Sequence, residues 1–314
     1  MHKRLLLAAL LICAFQGHSQ AVSKDKWWEV LHNWNGYTPW AEYMQLTAKY
    51  MGPNGAPVPE MNKGMIPQYS FFEAGYASHY STGDHTQNAF MNGTIKVGNR
   101  AAINMYFVPW EHYDMDTITS RYVRNTRDFD GKGHAVGDVY VNAYFEIIKE
   151  KKHRPSLMLC AGTKTASGDN LEAARYMDAP GYYFSLSTGK TVQFPHFYFK
   201  NVRFYALAGF YSWQTYREDY RQDDAPLYGA GLELSGKHLI LDDNISGYTG
   251  YFKTGDQPIV NKLSVTSKMK TIVNFKVLYQ YGLRDWDYAS IMVSSIIDFS
   301  KVKIKTRKRE ITFQ

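Results

Sequence analysis

The residues able to do chemistry are scattered and few. Ser78, His79, His238 and Asp242 supply a hydroxyl, two imidazoles and a carboxylate, the parts of a hydrolase that needs a nucleophile, a base and an orienting group. Ser78 and His79 are neighbours on one predicted strand, so they point to opposite faces and cannot pair locally. The chain has no nucleophile elbow, no zinc spacing and no glycine-rich phosphate loop. His112, His134, His153 and His196 stand at no metal-ligand spacing. Asp128-Phe129-Asp130-Gly131-Lys132-Gly133 has the alternate carboxylates and turn glycine of half a Ca²⁺ loop. Val139 stands where the loop's final bidentate acid belongs, so a solvated outer loop is expected there. Glu218, Asp219, Asp223 and Asp224 also read as a solvated loop, one that surface divalent cations could bridge to lipopolysaccharide. No catalytic, cofactor or metal site is expected, and neither is nucleic-acid binding.

A second set of polar residues has a pattern. Glu73, His79, Lys96, Asp138, Glu146, Lys164, Arg203, Glu233 and Lys276 fall at alternate positions of apolar-polar segments. In 138–147, Val139, Val141, Ala143, Phe145 and Ile147 share one face, and Asp138, Tyr140, Asn142, Tyr144 and Glu146 share the other. In 202–211, Val202, Phe204, Ala206, Ala208 and Phe210 oppose Arg203, Tyr205, Leu207, Gly209 and Tyr211. Side chains alternate across a strand, so each strand has one apolar and one polar side. A closed barrel would turn the polar sides inward, where the charges either select solutes or pair and fill the space.

Twelve such strands are predicted: 68–80, 89–98, 101–110, 136–148, 155–165, 181–189, 199–213, 226–235, 237–246, 259–267, 271–281 and 288–299. Most have the length that a tilted membrane strand needs, roughly 9–11 residues. Long and short links alternate, as expected for outer loops and periplasmic turns. The link 190–198 breaks that rhythm, and 81–88 reads as moderate. The predicted fold class is therefore all-β, an antiparallel transmembrane barrel of about twelve strands with an irregular N-terminal leader.

Composition fits this reading. The chain of 314 residues has 25 Tyr, 17 Phe and 7 Trp, yet its mean hydropathy is −0.41. Aromatic girdles on strands polar on one face produce that combination. A Tyr-rich soluble sandwich is the competing source, but its Greek-key links would not alternate in length. The net charge is +7, much of it in the tail, where Lys301, Lys303, Lys305, Arg307, Lys308 and Arg309 crowd together.

Residues 1–19 read as a signal peptide: a basic start at His2, Lys3 and Arg4, the apolar run Leu5–Phe15, and small residues at Gly17 and Ser19. Eleven apolar residues are too few to span a bilayer core. Residues 20–67 form a leader in which Lys24–Asn33 suits a short helix, and Pro39, Pro53, Pro57 and Pro59 break regular structure. It is expected to remain periplasmic or to plug the lumen. The barrel covers 68–299, and 300–314 form a basic periplasmic tail. Both termini are expected on the periplasmic side. Cys160 is the one cysteine beyond the signal peptide, so no internal disulfide is available.

The segment Gly137-Asp138-Val139, the basic turn Lys149–Arg154, and Pro155-Ser156-Leu157-Met158-Leu159-Cys160-Ala161-Gly162-Thr163-Lys164-Thr165-Ala166-Ser167-Gly168 together resemble the MetA-pathway phenol-degradation, or transporter-like, family of Gram-negative outer-membrane barrels. Thr165-Ala166-Ser167-Gly168 replaces that family's Pro-Thr-Gly ending. Gly52–Glu60 and Gly83–Asn88 resemble uncharacterised barrels of the same sort. The resemblance implies an outer-membrane barrel with a role in uptake of small hydrophobic or aromatic compounds and carries over no catalytic residue. The strand count of twelve, between eight and sixteen, suits a narrow or plugged pore. The alternatives are a structural or partner-docking barrel and, third, a barrel hydrolase. The expected partners are outer-membrane lipid and lipopolysaccharide, the barrel assembly machinery that reads a last strand ending in Phe299, and a small-molecule solute.

Overall fold

The computed structural model describes residues 25–306 and 309–312. The predicted signal peptide lies outside the described residues, as do Arg307 and Lys308 of the tail. Two compact units are present, one ending at Thr38 and one from Pro39 onward. In the first, helix α1 (Lys26–Leu31) ends just before Asn33, whose φ of +50° leaves the helical region. Trp34 Nε1 then donates to the Thr38 carbonyl at 2.8 Å.

The second unit is a closed antiparallel ring. Its strands are β1 (Phe71–Ser81), β2 (Asp84–Val97), β3 (Ala101–Met115), β5 (Tyr140–Ile148), β6 (Ser156–Lys164), β7 (Gly181–Gln193), β8 (Asn201–Gln214), β9 (Gln222–Ser235), β10 (Leu239–Tyr248), β11 (Ile259–Ser267), β12 (Val273–Arg284) and β13 (Ala289–Asp298). Each pairs with its sequence neighbour in the ring, and β1 pairs with β13 from Phe71↔Asp298 to Tyr80↔Ala289. That seam closes a ring of twelve, which removes every free edge. The short strand β4 (Lys132–Ala135) adds to the end of β3 and lies outside the ring. The tail forms a hairpin of β14 (Lys303–Thr306) and β15 (Arg309–Thr312).

Several strands outrun the predicted bounds. The link read as 81–88 is a two-residue turn, Thr82-Gly83, with Gly83 at φ +75°. Residues 84–88 are polar on both faces, so no apolar alternation marks them as strand. Strand β7 likewise runs on to Gln193, which shortens the irregular link 190–198 to a turn at 194–200. Five short turns, 98–100, 149–155, 194–200, 236–238 and 268–272, thus lie at the end where β1 begins and β13 finishes, and the long loops crown the other end together with the Thr82-Gly83 turn.

The two sides of the wall differ as the alternation requires. Outward positions such as Ile103, Phe184, Phe204, Leu263, Phe275 and Val293 are about half exposed. Inward positions are buried. No helix among the described residues is long and apolar enough to cross a membrane. An apolar belt around a ring with paired backbone is the form of a lipid-spanning barrel.

Candidate functional site: the filled lumen

The inward residues include all nine of the polar set, yet they do not converge on one site. They divide among separate clusters. Glu73 on β1 lies 3.5 Å from Lys276 on β12 and accepts from Ser294 Oγ at 2.6 Å. Lys164 on β6 meets Asp138 at 2.8 Å, both side chains without exposure. Asp138 also accepts from the backbone N–H groups of Ser167 and Gly168 at 3.0 and 2.7 Å. Arg203 on β8 contacts Glu150 at 2.6 Å and donates to Ser156 Oγ. Lys96 donates to the Gln68 carbonyl at 3.1 Å. Glu146 stands half-buried, opposite Met158.

Residues 39–70 occupy the space that these walls enclose. At the long-loop mouth, the Lys49 N–H donates to the Gly255 carbonyl at 3.0 Å and the Gly52 N–H to Ala174 at 2.7 Å. Further in, Tyr248 Oη donates to the Ala56 carbonyl at 3.0 Å, and Lys262 pairs with Glu60 at 2.8 Å. Nearer the short turns, Lys63 reaches Glu233 at 2.6 Å and Asp242 at 2.7 Å, while Arg203 Nε donates to the Lys63 carbonyl. Gly64, at φ +75°, crosses β7 so closely that a Cβ would lie 2.6 Å from the Gly189 nitrogen. Met44, Met51, Val58, Met61 and Ile66 join Tyr144, Met158, Tyr183 and Leu207 in the main apolar cluster. This segment therefore runs from one mouth to the other. The N-terminus, for which the periplasmic side is expected, lies outside the described residues. Residues 43–52 lie under the long loops: the Tyr43 carbonyl accepts from Asn125 Nδ2, Lys49 pairs with Gly255, and Gly52 pairs with Ala174.

A further buried ionic cluster lies outside the alternating pattern of the sequence. Arg175, from the 165–180 loop, contacts Asp84 at 2.9 Å and Glu111 at 2.7 Å, and all three side chains are fully buried. Arg124, from the 116–139 loop, meets the same Asp84 at 2.7 Å. Tyr288 Oη donates to Asp84, Tyr176 Oη donates to Glu111, and Asn54 of the leader donates to Glu111 at 2.8 Å. Two cations and two carboxylates thus neutralise one another with their lone pairs satisfied, which burial of charge requires. The cluster fastens two loops and the leader to β2 and β3.

His79 sits beside that cluster. Its Nδ1 lies 2.6 Å from Ser290 Oγ and its Nε2 2.7 Å from Asn88 Oδ1. Hydroxyl, imidazole and amide in a row is an arrangement that hydrolases use. Here Ser290 has no exposure, and Asn88 also accepts from Asn54 of the leader. Ser78, the other hydroxyl considered, is on the outer face. His238 lies in the turn after β9, four residues before Asp242, which is tied to Lys63.

The acidic segment 218–224 needs correction. Asp223 is not in a solvated loop but is a buried residue of β9, where it accepts from the Tyr251 N–H at 3.0 Å. In the segment 128–133, Asp128 accepts from Tyr113 Oη and Lys132 pairs with Asp114. His112 and His134 face each other across β3 and β4 with ring centroids 4.8 Å apart. Among the described residues, no group of three or more His, Cys, Asp or Glu could hold a metal.

One cleft opens at the long-loop mouth, where leader and loops meet. It encloses about 400 Å³ and is lined by Lys49, Tyr50, Lys253, Gln257, Arg284 and Asp285, among others. Three cations against one carboxylate give it a positive face.

No family model matches the chain, and no curated protein does. The likeness of residues 137–168 to the phenol-degradation family therefore stays a resemblance. Similar solved structures are a KdgM porin (10% identity, 72% of this chain and 99% of that one, TM-score 0.45) and an outer membrane channel from Pseudomonas putida F1 (10%, 77% and 100%, 0.48). A NanC porin is similar too (12%, 73% and 98%, 0.46). Each of these TM-scores is below 0.5, and the closure of the ring is established by its own strand registers, from the β1–β2 pair round to the β1–β13 seam.

Proposed function

We propose that this chain is an outer-membrane β-barrel that passes small solutes, with residues 39–70 as a built-in gate. The observation that carries the reading is how the gate is held. Its lower half is fastened by ion pairs, Lys63 to Glu233 and Asp242 and Glu60 to Lys262, in a lumen lined with charge of both signs. Such contacts exchange readily for water and solute, whereas an apolar filling alone would not. The apolar outer belt supports insertion in lipid, with phospholipid, lipopolysaccharide and the barrel assembly machinery as partners. The cationic cleft at the mouth favours polar or anionic solutes over the hydrophobic or aromatic ones that the family resemblance implies.

The second reading is a barrel kept closed for a structural or docking role. The buried Arg175 cluster favours it, because opening would take Asn54 from Glu111 and uncover a fully buried set of charges.

Planar-bilayer recording separates the two. The intact protein is expected to conduct rarely, and a variant lacking residues 20–64 to conduct in large, frequent steps. Silence of the deleted form, with its barrel shown intact by heat-modifiable gel mobility, would sink the channel reading.

A further inference from the structure

The two mouths carry opposite charge. The short-turn end comprises residues 98–100, 149–155, 194–200, 236–238, 268–272 and 299–301, and these hold ten Lys and Arg against one carboxylate. The long loops, 116–139, 165–180, 215–221, 249–258 and 285–288, hold eight against twelve. The single acid of the short-turn end, Glu150, is already engaged by Arg203 at 2.6 Å and by Lys190 at 3.3 Å. It neutralises little of the rim. Lys151, Lys152, Arg154, Lys237, Lys268 and Lys270 are all exposed.

An aromatic turn interrupts the basic rim. Phe194, Phe197 and Tyr198 are 40%, 70% and 56% exposed, and Lys200 follows them. Aromatic rings at the level of lipid headgroups, next to cations, are the usual anchor of a spanning protein at a bilayer interface. The rim is continuous with the apolar outer belt, because the same strands carry both.

We infer that the short-turn rim is a docking surface for anionic phospholipid headgroups, with Lys151, Lys152, Arg154, Lys237, Lys268 and Lys270 meeting the phosphates and the 194–199 turn seated among the glycerol and upper acyl groups. The inference rests on the membrane placement above but not on conduction. It also orients the barrel: the cationic rim faces the leaflet built of phospholipid, and the more acidic loops face away from it. Clustered basic residues at a membrane surface recognise anionic lipid through this additive attraction.

The test is native mass spectrometry of the full-length barrel, released from detergent after mixing with equal amounts of dioleoylphosphatidylglycerol and dioleoylphosphatidylethanolamine. A parallel arm replaces the glycerol lipid with lipid A, the other source of lipid phosphate. Retention of phosphatidylglycerol about tenfold above phosphatidylethanolamine, and above lipid A, is expected. Replacing the six rim cations by Gln should bring the first ratio close to one, while Arg217→Gln at the opposite mouth leaves it unchanged. Should the sixfold variant fail to fold, as judged by gel mobility, the K151Q/K152Q/R154Q variant should lower the ratio at least threefold. Equal retention of the two phospholipids by the wild-type protein would overturn the inference, as would unchanged retention in the folded variants or a preference for lipid A. Failure of the barrel to enter neutral phosphatidylcholine vesicles would instead count against the membrane reading itself.

Discussion

Arg175 Nε lies 2.7 Å from Glu111 Oε1, and neither side chain has any exposure. The pair joins a long loop to the upper end of β3 and, through Asn54, to the leader. Removing one member leaves a buried charge without its partner, a loss of about 3–5 kcal/mol. Arg175→Met is therefore expected to lower the unfolding midpoint in detergent sharply. Adding Glu111→Gln should cost much less than the two single losses combined, because the residues share one network. Additive losses would show that the contact is incidental.

Lys63 bridges Glu233 and Asp242 in the lower lumen. Lys63→Met leaves two carboxylates side by side with no cation between them. Their repulsion loosens the gate without altering the wall. Single-channel recordings should show more frequent openings than wild type, with the same conductance per opening. Unchanged opening frequency would place the gating contact elsewhere.

Val293 faces outward near the middle of β13, next to the seam. An Arg there must enter hydrocarbon if the belt lies in lipid, a loss of about 2–4 kcal/mol at the midplane. Val293→Arg should slow or prevent folding into vesicles, as followed by gel mobility. Wild-type yield and stability of that variant would deny the belt its lipid.

Glu150 supplies the pH dependence. Burial opposes its ionisation, but the Thr191 backbone N–H and the Arg203 guanidinium outweigh that and hold its carboxyl below the ordinary value of 4.5. A carboxylate depressed in the folded state stabilises fully above its unfolded pKa. That contribution fades as pH falls through the lower folded value. The melting temperature should drop below about pH 4.5, and Glu150→Gln should reduce the slope in that window. An unchanged slope in the variant would assign the acid sensitivity to other groups. The side chain is partly exposed, so the effect is small.

The ring was legible because lipid on one side and water or protein on the other enforce a two-residue period. β8 shows why: Phe204 and Phe210 face out while Arg203 and Tyr205 face in, a pattern visible without coordinates. The pattern ends where the lipid ends. Asp84 falls five residues before the predicted start of its strand and Glu111 one residue past the predicted end of its own. Both lay outside the inward set for that reason alone. Arg124 and Arg175 come from loops, which have no period to read. The leader was legible as a short helix, a run of prolines and a possible plug, but its contacts were not, since they join residues some 200 positions apart, as Lys262 does with Glu60.

The path of residues 39–70 bears on how the molecule is made. Its first residues lie at one opening and its last at the other, where Ser70 leads straight into β1. A hoop already shut could take up such a cord only if the free end were drawn the whole way through. The join between β1 and β13 is the single place where the two ends of the sheet meet, and β1 is the strand to which the cord is tied. Biogenesis that brings β1 to β13 last encircles the cord in the same movement, and the finished barrel holds it as a bead holds its string.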